Sequence, residues 1–417
     1  MKCLIVGAGP AGLSAAETLR KLSDRLEITV ADGENKLLYA RCQLPGVVAG
    51  RTIPDFRPPD FFTRNDIGLI AGKRVLFLWP DLNQVLLEDG SRLRFQVLLL
   101  ATGARPRGLK IPGTELRGIY GLRQYGDALR ISRWEAGRAV VLGGGPGGVA
   151  VAEALRDRGI RQVTLVVKST RVLSRQMDEQ GAGRVEKALL NHNIELLYGQ
   201  NPRQILGSKK VQSVGLEDGR ELPADLVIAA KGVQPNISLA VRAGAGVRVN
   251  PYFETARCGV FAAGDCTEVR DELTGEDVLP GRWTLAIQQG KRAAQSMFYR
   301  LKYPEGSWEE SDLTPYTEAY TREYTAQIGG VPLAAAGWNT FPGEVQVWDS
   351  GGVYRRLVFR DDKLLGAVII GDIAGAGIYN WLIRKGRELS SREKSALLRG
   401  EVFSLMLPGE PQQSYAK

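Results

Sequence analysis

Apolar and polar positions along the chain keep two rhythms, and the places where one gives way to the other mark the elements. The apolar run CLIV stops at GAGPAG, LSAAETLRKL then spaces its apolar residues as one face of a helix, and LEITV is a second apolar run. Strand, glycine turn, helix and strand in that order make a βαβ unit. The same grammar returns at AVVL, GGGPGG, VAVAEALRDRG and QVTLVV. Between the copies VLLLATGARP reads as a buried strand ending in a Gly/Pro turn, and DLVIAAKGVQPN repeats it after the second copy, so each is expected to close one sheet. GVFAAGDC is a further strand and turn, with a helix expected from about Trp283 to Arg300. Beyond about 307, TAQIGG, EVQVWD, YRRLVFRDD and KLLGAVIIGD read as strands and IYNWLIRKG as a helix, a separate α+β region.

Composition narrows what this architecture can be. With 417 residues, the chain exceeds the roughly 250–300 that one core serves. No apolar run approaches the roughly 18 residues of a membrane span, and no leader precedes the first strand, so a cytoplasmic protein is expected. Cys3, Cys42, Cys258 and Cys266 lack the close spacing of a disulfide framework or zinc site; no metal is expected. The sole histidine, His192, reads as structural, which disfavours a histidine base. The formal charge of +9, with Lys and Arg recurring at 130–161, 203–210 and 384–399, favours acidic partners.

The glycine turns carry the chemistry. Gly7, Gly9 and Gly12, with Pro10 and Ala11 between them, have the spacing that a tight turn, close pyrophosphate approach and helix-on-strand packing require. A pyrophosphate would rest on the unpaired amides of the helix N-terminus. Asp32 ends the second strand, where a carboxylate accepts from a ribose diol. The second copy supplies Gly143, Gly145, Gly147 and Gly148, but Val167 stands where Asp32 stands in the first, followed by Lys168, Ser169 and Arg171. Cations without the carboxylate tilt this site towards a 2′-phosphate, NADPH over NADH.

Taken in order, GAGPAG at 7–12, ATGARP at 101–106, GGGPGG at 143–148, GVQPN at 232–236 and GVFAAGDC at 259–266 make the first 300 residues resemble the pyridine nucleotide-disulfide oxidoreductases, especially the rubredoxin reductase and nitrite reductase flavoprotein branch. The resemblance implies FAD and NAD(P)H as cofactors and an α/β fold: two Rossmann-like, three-layer ββα dinucleotide-binding domains plus a small α+β C-terminal domain. It implies an FAD domain at 1–112 and 250–306, an NAD(P) domain at 113–249 and an interface domain at 307–417. By the same resemblance Ala101, Thr102, Gly103, Gly264 and Gly232 border the cofactors, Asp265 hydrogen-bonds the ribityl chain, and the helix start at Thr284, Leu285 and Ala286 faces the flavin. Tyr379 and Trp381 are expected to be core or contact residues.

YARCQLPG at 39–46 leaves the branch open. Cys42 falls where the coenzyme A disulfide reductase and NADH peroxidase branch carries a redox cysteine beside the flavin, and the neighbouring cation Arg41 and the flavin itself are expected to favour its thiolate. Arg41 replaces that branch's usual asparagine, the paired CxxxxC and C-terminal His-Glu of the glutathione type are missing, and the family's lysine near the flavin is not evident. The favoured function is hydride transfer between nicotinamide and flavin, with an acidic iron–sulfur protein or metalloenzyme subunit, such as part of an aldehyde oxidoreductase complex, as electron partner. Direction, and homo- or hetero-oligomeric state, stay open. One alternative is a Cys42-dependent peroxide, persulfide or coenzyme A disulfide reductase. Another is a flavin-sensing protein that binds DNA, disfavoured because no basic run is interleaved with aromatic residues.

Overall fold

In a computed structural model, residues 1–245, 248–270, 277–278, 281–308, 311–316 and 323–402 are described. Both strand–turn–helix–strand runs form where the pattern predicts: Lys2–Val6, Pro10–Leu22 and Glu27–Asp32 in the first, Arg138–Leu142, Pro146–Asp157 and Gln162–Val167 in the second. Contacts group the chain into two units. The first holds Met1–Arg107, Leu122–Arg133 and Gly232–Glu318, the second Gly108–Gly121, Trp134–Lys231 and Ala319–Lys417.

The first unit is built on a five-stranded parallel sheet in the order Val260–Ala262, Val97–Leu100, Lys2–Val6, Glu27–Asp32, Ile67–Ala71. Alternation along Lys2–Val6 makes it the middle of three layers. Cys3 and Ile5 pack with Leu13, Ala16 and Met297 of the helices, whereas Leu4 and Val6 pack with Leu78, Val85 and Phe95 of an antiparallel three-stranded meander. Helix Trp283–Lys302 lies against Pro10–Leu22 so closely that a methyl on Gly290 would sit 2.1 Å from the Ala11 carbonyl oxygen. Glu254, 6% exposed, binds it to the preceding loop, pairing with Arg300 at 2.8 Å and accepting from the Trp308 indole at 3.0 Å.

The second unit repeats the scheme in the order Ile194–Tyr198, Gln162–Val167, Arg138–Leu142, Leu226–Ala229, Ile119–Tyr120, all parallel. Its meander is Pro202–Gly207, Val211–Leu216 and Glu221–Pro223. The C-terminal sheet is antiparallel, Glu323–Ile328, Val331–Gly337, Lys363–Ile370, Val353–Arg360, Glu344–Ser350, and keeps its own core with helices Ala376–Lys385 and Ser391–Arg399. Tyr379 belongs to that core, while Trp381 is exposed.

Three sequence expectations change. Neither Val97–Leu100 nor Leu226–Ala229 closes its sheet: each gains an outer neighbour, Val260–Ala262 and Ile119–Tyr120 respectively, from a segment distant in sequence. The borders of the insertion move, because 122–133 and 232–249 group with the first unit. Val233–Pro235 pairs with Ala104–Pro106, and Leu239 and Ala240 join the core of Leu4 and Leu98. The C-terminal region groups with the inserted nucleotide fold. The Tyr354 hydroxyl donates to Asp178 at 2.7 Å, Asn339 to the Gln176 carbonyl at 2.8 Å, and Arg184 pairs with Asp349. Among the described residues no helix is long and apolar enough to cross a membrane.

Candidate functional site

The first glycine turn is built by close approach of backbone to backbone. Gly7 has φ +114°, and a methyl on it would lie 2.2 Å from the Ala101 carbonyl oxygen; one on Gly12 would lie 1.9 Å from the Gly7 carbonyl oxygen. These glycines are required by the protein itself. Gly9 differs: its φ of −78° suits any residue, and an added methyl would meet nothing within 4 Å. It is the N-cap of helix Pro10–Leu22 and supplies no side-chain cap. The turn therefore presents open space beside a helix N-terminus whose first amides lack helical acceptors. That cradle fits a dinucleotide pyrophosphate.

Other segments converge there. A methyl on Gly264, φ +84°, would lie 3.2 Å from the Ala11 Cβ and 3.7 Å from the Ala286 Cβ, so GAGPAG, the GD turn and the helix start at Thr284, Leu285 and Ala286 meet. Gln289, fully buried, accepts from the Gly264 amide at 2.7 Å and sets that turn. Thr102 and Gly103 are tied to Asn236, the Thr102 hydroxyl donating to its carbonyl at 2.8 Å and its amide donating to Gly103 at 2.9 Å. Gly232 lies at this crossover, its carbonyl accepting from the Arg107 amide at 2.9 Å.

Asp32 ends its strand as expected, and its carboxylate also organises the turn: it accepts from the Ala8 amide at 2.6 Å and the Glu34 amide at 2.7 Å. Each oxygen retains capacity to accept a further hydrogen bond. Asp265 is met by a residue the sequence reading passed over. Arg123 donates to it at 2.6 Å, to the Ala104 carbonyl at 3.0 Å, and lies 3.9 Å from where a Gly103 methyl would be. Its signal was a cation in GLRQYGDALR, a stretch with no glycine turn to draw attention.

The part of the expectation for Cys42 that rests on Arg41 is corrected. Arg41 turns from the thiol and donates to Glu34 at 2.6 Å, the Tyr39 hydroxyl at 2.8 Å and the Arg123 carbonyl at 2.9 Å. Burial on its protein side pushes the exposed Cys42 thiol above its ordinary value, although its own amide and that of Gln43 oppose this. An adjacent carboxylate took the cation that sequence proximity assigned to the sulfur.

The second turn reproduces the first. Gly143 has φ +125° and its methyl would lie 2.4 Å from the Ala230 carbonyl oxygen, while that of Gly148 would lie 1.8 Å from the Gly143 carbonyl oxygen. Gly145, φ −83°, caps helix Pro146–Asp157 without a side-chain cap, and methyls on Gly145 or Gly147 would meet nothing within 4 Å. Open space again borders a helix N-terminus. Val167 is buried against Gly144, and Lys168 after it is exposed. Arg171, the second expected cation, is turned into its own loop, near the Met177 and Ser174 carbonyls at 3.4 and 3.5 Å. His192 caps helix Glu179–Asn191 and pairs with Asp157 at 3.0 Å.

Comparison with known proteins agrees with this duplication. The chain is 33% identical to an NADH oxidase of Methanocaldococcus jannaschii over 315 residues, covering 71% of this chain and 70% of that protein. It is 28% identical to an assimilatory nitrate reductase electron transfer subunit of Bacillus subtilis, matching 98% of this chain but spanning only 53% of that relative. The structure matches that of a covalent putidaredoxin reductase–putidaredoxin complex with TM-score 0.83 and 25% identity, over 97% of this chain and 98% of the other. The family model of pyridine nucleotide-disulphide oxidoreductases matches residues 1–290, and the chain belongs to that family of FAD-dependent enzymes that work with NAD(P)H.

Proposed function

We propose that this oxidoreductase passes electrons between NAD(P)H and an iron–sulfur protein or metalloenzyme subunit by way of FAD. The observation that carries the proposal is the pair of equivalent glycine turns, each leaving open space at an uncapped helix start. The FAD supplies the chemistry of the step: it accepts two electrons from a nicotinamide and can release them singly. The chain's residues bind and orient. The amides after Gly9 and Gly145 would hold pyrophosphates, Asp32 would take a ribose diol, and Asp265, paired with Arg123, would bind the FAD chain. Arg123 acts there because its ion pair with Asp265 sits beside Gly103, where both polar side chains are only partly exposed.

A thiol relay is not needed in this reading, and the raised Cys42 thiol supports its omission. No proton transfer is assigned to a side chain, since hydride transfer would draw its rate from alignment of the reactants and needs no acid or base. The formal charge of +9 suits an acidic partner through long-range attraction. The likeness to an electron transfer subunit and to a reductase captured with its redox partner supports the same reading. The test is NAD(P)H-driven reduction of an acidic ferredoxin by the purified FAD-loaded protein, at low and high salt. Reduction that weakens with salt is expected. A protein that reduces coenzyme A disulfide or peroxide but no iron–sulfur protein, and loses that turnover on Cys42→Ser, would reverse the choice.

A further inference from the structure

The second glycine turn is bordered by two segments, each following a different strand and each carrying a lysine. Lys168 follows Val167, whose Cγ1 lies 2.7 Å from where a methyl on Gly144 would be. Lys231 follows Ala230, whose carbonyl oxygen lies 2.4 Å from the corresponding point on Gly143, and the Lys231 amide nitrogen is itself 3.6 Å away. The Lys168 loop is held to the turn as well, since the amide of fully buried Leu173 donates to the Gly144 carbonyl at 2.8 Å. Both cations therefore stand on backbone that the turn positions.

Lys231 is only partly exposed, and its ammonium donates to the Asn201 side-chain carbonyl at 3.3 Å, a neutral acceptor at long range. Burial holds its pKa below the ordinary lysine value, the charge of Lys168 lowers it further, and Glu217 partly offsets both. The Gln200 amide donates to the Val167 carbonyl at 3.4 Å, so the neighbouring Asn201 holds the Lys231 ammonium beside the segment that carries Lys168. Like charges placed there repel each other, and an anion with two or more oxygens relieves that repulsion while supplying acceptors. The Val167 side chain offers no carboxylate that would fill the role from within. A dinucleotide seated on this turn brings one such group that varies between cofactors, the 2′-phosphate.

We infer that Lys231 is a specificity-determining residue that, together with Lys168, selects the 2′-phosphate of NADPH over the free hydroxyl of NADH. The inference rests on the proposed dinucleotide site at Gly143–Gly148. It assigns to that site a cation from the strand on the far side of the glycine turn, in addition to the residues that follow Val167. Lysine suits the position because its ammonium is a compact point charge on a flexible stem.

The test measures binding of 2′,5′-ADP and 5′-AMP to the FAD-loaded full chain, and of its Lys231→Met and Lys231→Arg variants. The wild type is expected to bind 2′,5′-ADP at least tenfold more tightly than 5′-AMP. Lys231→Met should remove most of that difference while leaving 5′-AMP affinity in place, and Lys231→Arg should restore much of it. In turnover Lys231→Met should raise KM for NADPH more than for NADH, and Lys231→Arg should bring it back towards wild type. If Lys231→Met weakens both probes equally, the residue serves the pyrophosphate or the fold, and the inference is overturned. It is also overturned if the wild type does not distinguish the probes. If the wild type binds neither probe, the dinucleotide site itself is refuted and the inference falls with it.

Discussion

Replacing Gly9 and Gly12 separately by alanine separates what the fold needs from what the ligand needs. At Gly12 the new methyl would stand 1.9 Å from the Gly7 carbonyl oxygen and 3.1 Å from Ile5 Cγ2, so the helix start must move by more than an ångström in a packed core. Overpacking of this kind costs about 1–3 kcal/mol, and more where backbone is the obstacle. At Gly9, with φ −78° and ψ −175°, alanine fits without strain and its methyl meets nothing within 4 Å. Reduced freedom of the unfolded chain stabilises by about 0.4–1 kcal/mol. The poorer N-cap quality of alanine costs about as much, leaving a net change of about zero. The open space is, however, where a pyrophosphate would lie, so FAD affinity should fall at least tenfold, about 1.4 kcal/mol. Urea unfolding of the two apo variants, followed by fluorescence titration with FAD, gives both quantities. The reasoning is refuted if apo Gly9→Ala is destabilised as much as Gly12→Ala, or if Gly9→Ala binds FAD like the wild type.

Glu254→Ala should destabilise the first unit by about 3–5 kcal/mol, because it leaves the Arg300 guanidinium, 10% exposed, without its counter-charge; the urea midpoint reads this. Cys42→Ser is expected to leave NAD(P)H-driven dye reduction within about twofold of wild type, and alkylation of Cys42 by iodoacetamide should be slow near neutrality and quicken only in alkali, as the raised thiol requires. Burial raises the Cys3 thiol from 9.0 to about 12. The unfolded chain then ionises first, and the stabilisation this group contributes below pH 9 is lost as pH rises from about 9 to about 12. Alkaline denaturation profiles of wild type and Cys3→Ala should converge across that window; profiles that stay parallel would contradict it.

Local pattern carried much of this protein. Glycine spacing determined both turns, since a methyl on Gly12 or Gly148 would strike a carbonyl five residues earlier, a clash written within one short segment. Continuous apolar runs determined the buried strands, and the helix expected from Trp283 runs to Lys302. Strand Val331–Gly337 was missed because a proline and three alanines hide its pairing, and helix Ser391–Arg399 was passed over despite the capping box of Ser390 and Glu393. Long-range partnership was beyond reach. That Val260–Ala262 borders Val97–Leu100, that Arg123 meets Asp265 across 142 positions, and that the Lys231 ammonium reaches Asn201 are decided only when distant strands are laid side by side. The fate of Arg41 makes the same point at short range: one residue from Cys42 in sequence, its guanidinium is claimed by Glu34, because a charge goes to the nearest counter-charge in space.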